Sequence, residues 1–160
     1  MKKLLVIFFL LICTISFGQT TEYGGTYSYG TTPDSGSTGV IYIYPNSDST
    51  LLFYLELSRG APSYNSGSII GQMKISSPGK ASFTMIKENN LINCNMSFEF
   101  AADSVYIHTI NNGYDCGYGH GVFSDGKFER IKRKIPKYFI DRHGDKIWFK
   151  NLNWKESWNW

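Results

Sequence analysis

Cys94 and Cys116 are the residues best placed to do covalent chemistry, because the third cysteine, Cys13, lies inside an apolar N-terminal segment. A pair of cysteines in an exported chain points first to a disulfide. The alternatives are two buried free thiols, or a thiolate nucleophile at Cys116 with His120, four residues on, as its base. The three histidines, His108, His120 and His143, sit in separate segments without the spacing of a metal site, so no metal or other cofactor is expected. Asp115 or Asp125 could join one of them in a composite site that only the fold would assemble. Asp141 and Asp145 flank a turn, where Asp is common on conformational grounds alone. Ser63 and Ser124 lack the strand–turn–helix context of a nucleophile elbow. A hydrolase using two distant carboxylates is the remaining catalytic reading.

A second group of residues suits binding rather than catalysis. All four tryptophans, Trp148, Trp154, Trp158 and Trp160, fall in the last thirteen residues. Tyr138, Phe139 and Phe149 stand beside them, among Lys134, Lys137, Arg142, Lys146 and Lys150. Aromatic rings interleaved with cations can stack on sugars or bases and contact anionic groups. The competing reading is packing, with Trp148 and Phe149 closing a barrel and the last residues lying along its outside. Ligand contact is therefore expected at Trp148, Trp154, Trp158, Tyr138, Arg142 and His120.

The segments that must position these groups read as strands. Ile92, Cys94, Met96, Phe98 and Phe100 alternate with Asn93, Asn95, Ser97 and Glu99, the clearest period-2 stretch in the chain. Val40–Tyr44, Leu51–Leu57, Val105–Ile107 and Gly126–Lys132 add further strands, and Tyr138–Phe149 reads as a hairpin about Gly144. Turn chemistry separates them at Pro33–Gly36, Pro45-Asn46, Gly60–Pro62, Ser77–Gly79, Asn111–Gly113 and His143–Asp145. The spacing predicts an all-β fold, an antiparallel β-barrel or sandwich of about eight to ten short strands with one disulfide. A barrel is favoured because closure removes edges.

Lys2 and Lys3 precede an apolar run, Leu4–Ile12, with Ser16 and Gly18 just before Gln19. This is the pattern of a secretory signal over residues 1–18. The run is about half of the ~20 residues a spanning helix needs. Leu10-Leu11-Ile12, where a small residue would be required, argues against lipidation at Cys13. The expected division is a signal at 1–18, a disulfide-bearing barrel at 19–134 and an aromatic, basic hairpin and tail at 135–160. The whole chain carries a net charge of +3. Residues 19–126 hold four basic side chains against nine acidic ones, and residues 127–160 ten against four. Either the two parts attract each other within the fold, or a basic C-terminal face meets an anionic partner.

Gly117-Tyr-Gly-His-Gly121 has the look of a phosphate-cradling loop, but no helix or Gly-Lys-Ser/Thr follows. Close passage of the chain near the cysteine explains the glycines better. Arg59-Gly-Ala-Pro-Ser-Tyr-Asn-Ser-Gly67, Gly71, Ala81-Ser-Phe83, Cys94 before its alternating strand, and Cys116-Gly-Tyr-Gly-His-Gly-Val-Phe-Ser-Asp-Gly-Lys-Phe128 carry a resemblance over residues 22–132. They resemble a group of small exported bacterial β-domains, some accompanying lysozyme-inhibitor-like envelope proteins. The resemblance implies a disulfide-bearing β-barrel and brings no catalytic residues with it. The sequence expectation is thus a non-catalytic binding or structural module, periplasmic or extracellular, that meets a glycan, an anionic envelope polymer or a secreted protein, and neither nucleic acid nor a membrane span. Inhibition of a secreted hydrolase such as a lysozyme, or hydrolysis of envelope polymers, are the alternatives.

Overall fold

The computed structural model describes residues 19–155 apart from 33, 35, 88–91, 111 and 112, so the proposed signal at 1–18 and Trp158 lie outside the described residues. A short helix, α1 (Gln19–Tyr23), leads into eight strands: β1 (Gly25–Tyr29), β2 (Thr38–Ser47), β3 (Thr50–Ser58), β4 (Ser66–Ser77), β5 (Lys80–Lys87), β6 (Ile92–Ala101), β7 (Ser104–Thr109) and β8 (Gly126–Lys132). Each pairs antiparallel with the next, and β8 returns to β1, so the sheet closes into an eight-stranded barrel. A separate two-stranded hairpin, β9 (Tyr138–Ile140) and β10 (Lys146–Trp148), follows.

Alternation decides which side chains fill the barrel. Ile41 and Ile43 of β2, Phe53 and Leu55 of β3, Phe83 of β5 and Met96 and Phe98 of β6 are all buried in one cluster. Phe100, on the same parity, is only half-buried and stacks on Tyr23 at 4.5 Å. Eight strands leave an interior just wide enough for side chains, and aromatic rings occupy it. Phe53 meets Phe83 edge-on at 5.0 Å and Phe98 at 5.4 Å. Gly71 makes room for that packing, because a Cβ there would lie 2.3 Å from the Phe83 ring.

Both ends of the barrel are plugged. At the end of the β2–β3, β4–β5 and β6–β7 turns, α1 brings in Tyr23, whose hydroxyl accepts a hydrogen bond from the Gly79 N–H at 2.8 Å. At the other end, the segment between β7 and β8 folds inward through a 3₁₀ turn, Gly113–Cys116. Cys116 bonds Cys94, the two separated by 22 positions, and both are buried. Tyr118 enters the barrel against Gly67, where a Cβ would come 2.5 Å from the ring. The hydroxyl of Tyr118 reaches Met96 Sδ at 3.9 Å. Val122 and Phe123 are irregular. The glycines before them turn the chain back, with Gly117 and Gly121 at positive φ, and strand pairing resumes only at Gly126.

The turn expected at Pro45-Asn46 lies two residues later. Pro45 stays in β2 opposite Leu51, and a bulge between Pro45 and Ser47 leaves Asn46 outside the ladder. The outer face of β3 departs more from simple alternation. Leu52 and Tyr54 point away from the barrel interior yet are buried, together with Ile70, Phe139 and Phe149. The cover is the β9–β10 hairpin and the 3₁₀ turn Phe149–Asn151. Tyr54 stacks on Phe139 at 4.2 Å, and Tyr44 lies nearly parallel to Phe149 at 5.4 Å. Phe149 therefore packs on the outside of the barrel, which the β8–β1 ladder closes without it.

Loop-closure entropy gives the disulfide a contribution of about 3 kcal/mol. Replacing both Cys94 and Cys116 by Ala should lower the free energy of unfolding by about that amount in a denaturant titration. An unchanged midpoint would mean that the packing of Tyr118 and Val122 and the Asp125–Thr109–Ser124 hydrogen bonds hold the plug without the disulfide.

Candidate functional site

The sheet does not close evenly around the barrel. The β3–β4 ladder runs through nine residue pairs and the β5–β6 ladder through eight, but β4 and β5 share only Lys74↔Ser82, Ile75↔Ala81 and Ser77↔Lys80. Beyond these the two strands diverge toward the disulfide end. A cleft of about 440 Å³ lies there. One wall is the start of β4 (Ser66–Ile70), another the end of β5 and start of β6 (Met85, Lys87 and Ile92), and a third Cys116–Gly119. Asp141, Arg142 and His143, at the tip of the hairpin, complete it.

Asp141 is buried although it belongs to an exposed turn. Its Oδ1 accepts hydrogen bonds from the N–H groups of His143 at 2.9 Å and Asp145 at 2.8 Å, which fixes the turn about Gly144. Its Oδ2 is buried without a hydrogen-bond partner among the described residues. The Tyr54 hydroxyl, on the same wall, is in the same condition: Ser68 and the Arg142 backbone lie near it, but neither closes a hydrogen bond of good geometry. Burial, and then the charge of Glu56, push the Tyr54 hydroxyl well above its ordinary pKa. Glu56 is itself raised above the usual carboxylate value, first by desolvation and then by the neighbouring Asp141. Asp141 and Tyr54 thus bring two buried acceptors to the lining of the cleft, which Arg142, His143 and Lys87 also line.

The hairpin's outer face is a second feature. Tyr138 and Trp148 are direct cross-strand partners, with ring centroids 5.3 Å apart and planes at 56°. Lys146 Nζ lies 4.0 Å from the Tyr138 ring centroid and 4.8 Å from that of Trp148. Tyr138, Ile140 and Trp148 keep 41%, 47% and 45% of their surfaces exposed, a large share for side chains of this size. Period 2 explains the arrangement: Phe139 and Ile147 face the barrel, so their neighbours face outward.

The six residues expected at a binding surface therefore separate. Tyr138 and Trp148 come together. Trp154 is half-buried and packs against the cluster outside the barrel, with Lys155 Nζ 5.7 Å from its ring. Arg142 sits at the hairpin tip in the cleft. His120 stacks instead on Tyr114 at 6.1 Å, and its carbonyl accepts a hydrogen bond from Asn65 Nδ2 at 2.7 Å. In the sequence Lys146 stands only among the cations beside the aromatics and Asp141 only at a turn, and nothing marks Tyr54. Only the alternation of the hairpin could have marked Lys146, and nothing local distinguishes Asp141 from an ordinary turn residue.

Asp125 does meet a histidine. His108 Nδ1 lies 3.0 Å from Asp125 Oδ1, which also accepts from the Thr109 N–H at 2.9 Å. Thr109 Oγ1 donates to Asp125 Oδ2 at 2.8 Å and lies 2.9 Å from Ser124 Oγ. Ser124 is fully buried, whereas His108 is exposed and touches the carboxylate rather than the serine. The cluster ties the plug to β7 and does not form a nucleophile–base pair. No group of three or more His, Cys, Asp or Glu able to hold a metal occurs among the described residues. No helix there is long and apolar enough to cross a membrane.

The raised Glu56 carboxyl has a signed consequence. The folded state holds its proton more tightly than the unfolded chain, so stability declines as pH rises from the ordinary carboxylate pKa through the raised one. Glu56→Gln should raise the thermal midpoint above that of the unsubstituted protein at neutral pH, with the difference vanishing below the ordinary carboxylate range. A pH-independent difference would refute this assignment. Compared with protein-family models, curated proteins and solved structures, the chain matches none.

Proposed function

We propose that this is a non-catalytic exported binding module, and that the outer face of the β9–β10 hairpin recognises an anionic glycan or envelope polymer. The observation that carries the reading is the Tyr138–Lys146–Trp148 group: two exposed rings held side by side with one ammonium over both. Rings of this kind stack on the C–H faces of sugars, and the lysine is positioned for a carboxylate or phosphate on the same unit. Lys134, Lys137 and Lys150, exposed nearby in sequence, give the surrounding chain the same sign. The buried disulfide is the kind of cross-link that persists in an oxidising compartment, consistent with export to the periplasm or beyond.

Polygalacturonate, a uronic acid polymer, should quench or shift the tryptophan fluorescence, and salt should weaken the effect. Trp148→Ala should reduce affinity about tenfold, a loss of about 1.4 kcal/mol. Equal response to uncharged dextran, or undiminished binding by the variant, would remove the hairpin face as the site.

A second reading, inhibition of a secreted hydrolase, has its own observation. The Arg59–Gly67 and Gly117–Gly121 loops join at one end of the barrel, through Asn65 Nδ2 to the His120 carbonyl and the Gly119 N–H to the Ser66 carbonyl at 3.1 Å. Tyr64, Tyr114 and Phe123 protrude there, 54%, 49% and 45% exposed, as an aromatic rim suited to a protein cleft. Under this reading the protein inhibits added lysozyme, and Tyr64→Ala relieves the inhibition. Full lysozyme activity at stoichiometric excess of the protein would eliminate it.

A further inference from the structure

We propose that the cleft at the β4–β5 divergence binds a small zwitterion of amino-acid type. This site is separate from the hairpin's outer face, and the inference does not rest on the polymer reading.

Asp141 keeps only 7% of its surface exposed and Tyr54 1%, and both line the cleft. Each carries a buried oxygen without a hydrogen-bond partner among the described residues. A buried acceptor left unpaired is destabilising, and more so when it is charged. Asp141 Oδ1 is already used by the His143 and Asp145 N–H groups, so Oδ2 remains to receive a donor from outside the chain. An ammonium group fits best, since it brings three N–H donors and a positive charge to a carboxylate whose negative field also reaches Glu56.

The rest of the lining has the opposite character. Arg142, adjacent to Asp141 but exposed, lines the cleft, and Lys87 sits at the end of β5 on the inward parity of Phe83 and Met85. A guanidinium holds a carboxylate through paired N–H donors. Ile69, Met85 and Ile92 add apolar surface to the same cleft. A ligand that matches all three carries an ammonium, a carboxylate and a short apolar side chain. The volume of about 440 Å³ accommodates such a molecule. A bare metal ion matches less well, because a single carboxylate and a phenol offer too few oxygen ligands.

L-Leucine and its two single-charge analogues separate the terms: 3-methylbutylamine lacks the carboxylate and 4-methylpentanoate lacks the amine. Titrated into the ¹⁵N-labelled protein, L-leucine should shift the amides of Gly67, Gly117 and Gly119. It should bind at least about tenfold more tightly than either analogue. Asp141→Asn retains Oδ1 for the turn, and should bring L-leucine down to the level of 4-methylpentanoate. Tyr54→Phe, which leaves the stack on Phe139 in place, should weaken L-leucine in the same direction. Arg142→Gln should bring L-leucine down to the level of 3-methylbutylamine. Absence of shifts at the three glycines, an analogue that binds as tightly as L-leucine, or L-leucine binding unaffected by both Asp141→Asn and Tyr54→Phe would each overturn the proposal. Loss of polygalacturonate binding in Trp148→Ala with L-leucine binding intact would confirm that the two sites are separate.

Discussion

Phe139 stacked on Tyr54, with centroids 4.2 Å apart, fixes the position of the hairpin face and of the tip that completes the cleft. The stack is part of an aromatic layer outside the barrel, in which Phe149 also lies against Tyr44 and 5.1 Å from Phe139. Aromatic pairs contribute about 0.5–1.5 kcal/mol beyond the area they bury. An isolated two-stranded hairpin is marginal in water, so β9 and β10 depend on this layer for their order. Once Phe139 and Ile147 are committed to the barrel, the alternation of the strands leaves Tyr138, Ile140, Lys146 and Trp148 facing outward. The same docking carries the tip, Asp141–His143, over the divergence of β4 and β5.

The closed barrel explains why binding sites would lie outside its axis. Its interior is filled by rings such as Phe53, Phe83 and Phe98, and its ends are stopped by Tyr23 and Tyr118. The disulfide and the Asp125–Thr109–Ser124 hydrogen bonds anchor the second plug from two directions. What the plug cannot do is extend the β4–β5 ladder, and the cleft forms where that ladder stops. A fold with a filled interior therefore keeps its concavity at a seam.

How much of this was legible in the sequence follows from which interactions are local. The strict alternation of Ile92–Phe100 marked β6 and placed Cys94 inward, because a strand's parity is a property of its own residues. The pairing of Cys94 with Cys116 was legible from chemistry and compartment. In Leu51–Leu57, the apolar residues at Leu52 and Tyr54 occupy the parity opposite to the core, which is the mark of a strand covered on both faces. The identity of the cover was not legible, since it depends on a hairpin some eighty residues away. The β4–β5 divergence left no local trace either. Both strands have good β sequences, and only the register of a closed sheet reveals that most of their facing residues do not pair. Asp141 looked like a turn residue and is one, through Oδ1. The isolation of its other oxygen is a tertiary fact.

The charge asymmetry along the chain resolves in part within the molecule. Arg133 pairs with Asp103, and Arg130 donates to the Glu22 carbonyl at 3.0 Å and to the Tyr27 hydroxyl while stacking its guanidinium 4.9 Å from the Tyr27 ring. Arg130 thus ties β8 to β1, and Arg133 ties the chain after β8 to the β6–β7 turn. Lys146 is used differently, over two exposed rings, and Arg142 differently again, beside a buried carboxylate oxygen that no group among the described residues satisfies. A basic excess that served only to balance the acidic strands would be concentrated where Arg130 and Arg133 are. Placing part of it on a docked hairpin, once over aromatic rings and once at a cleft, is the distribution expected of recognition surfaces, where charge is held in fixed geometry against apolar matter.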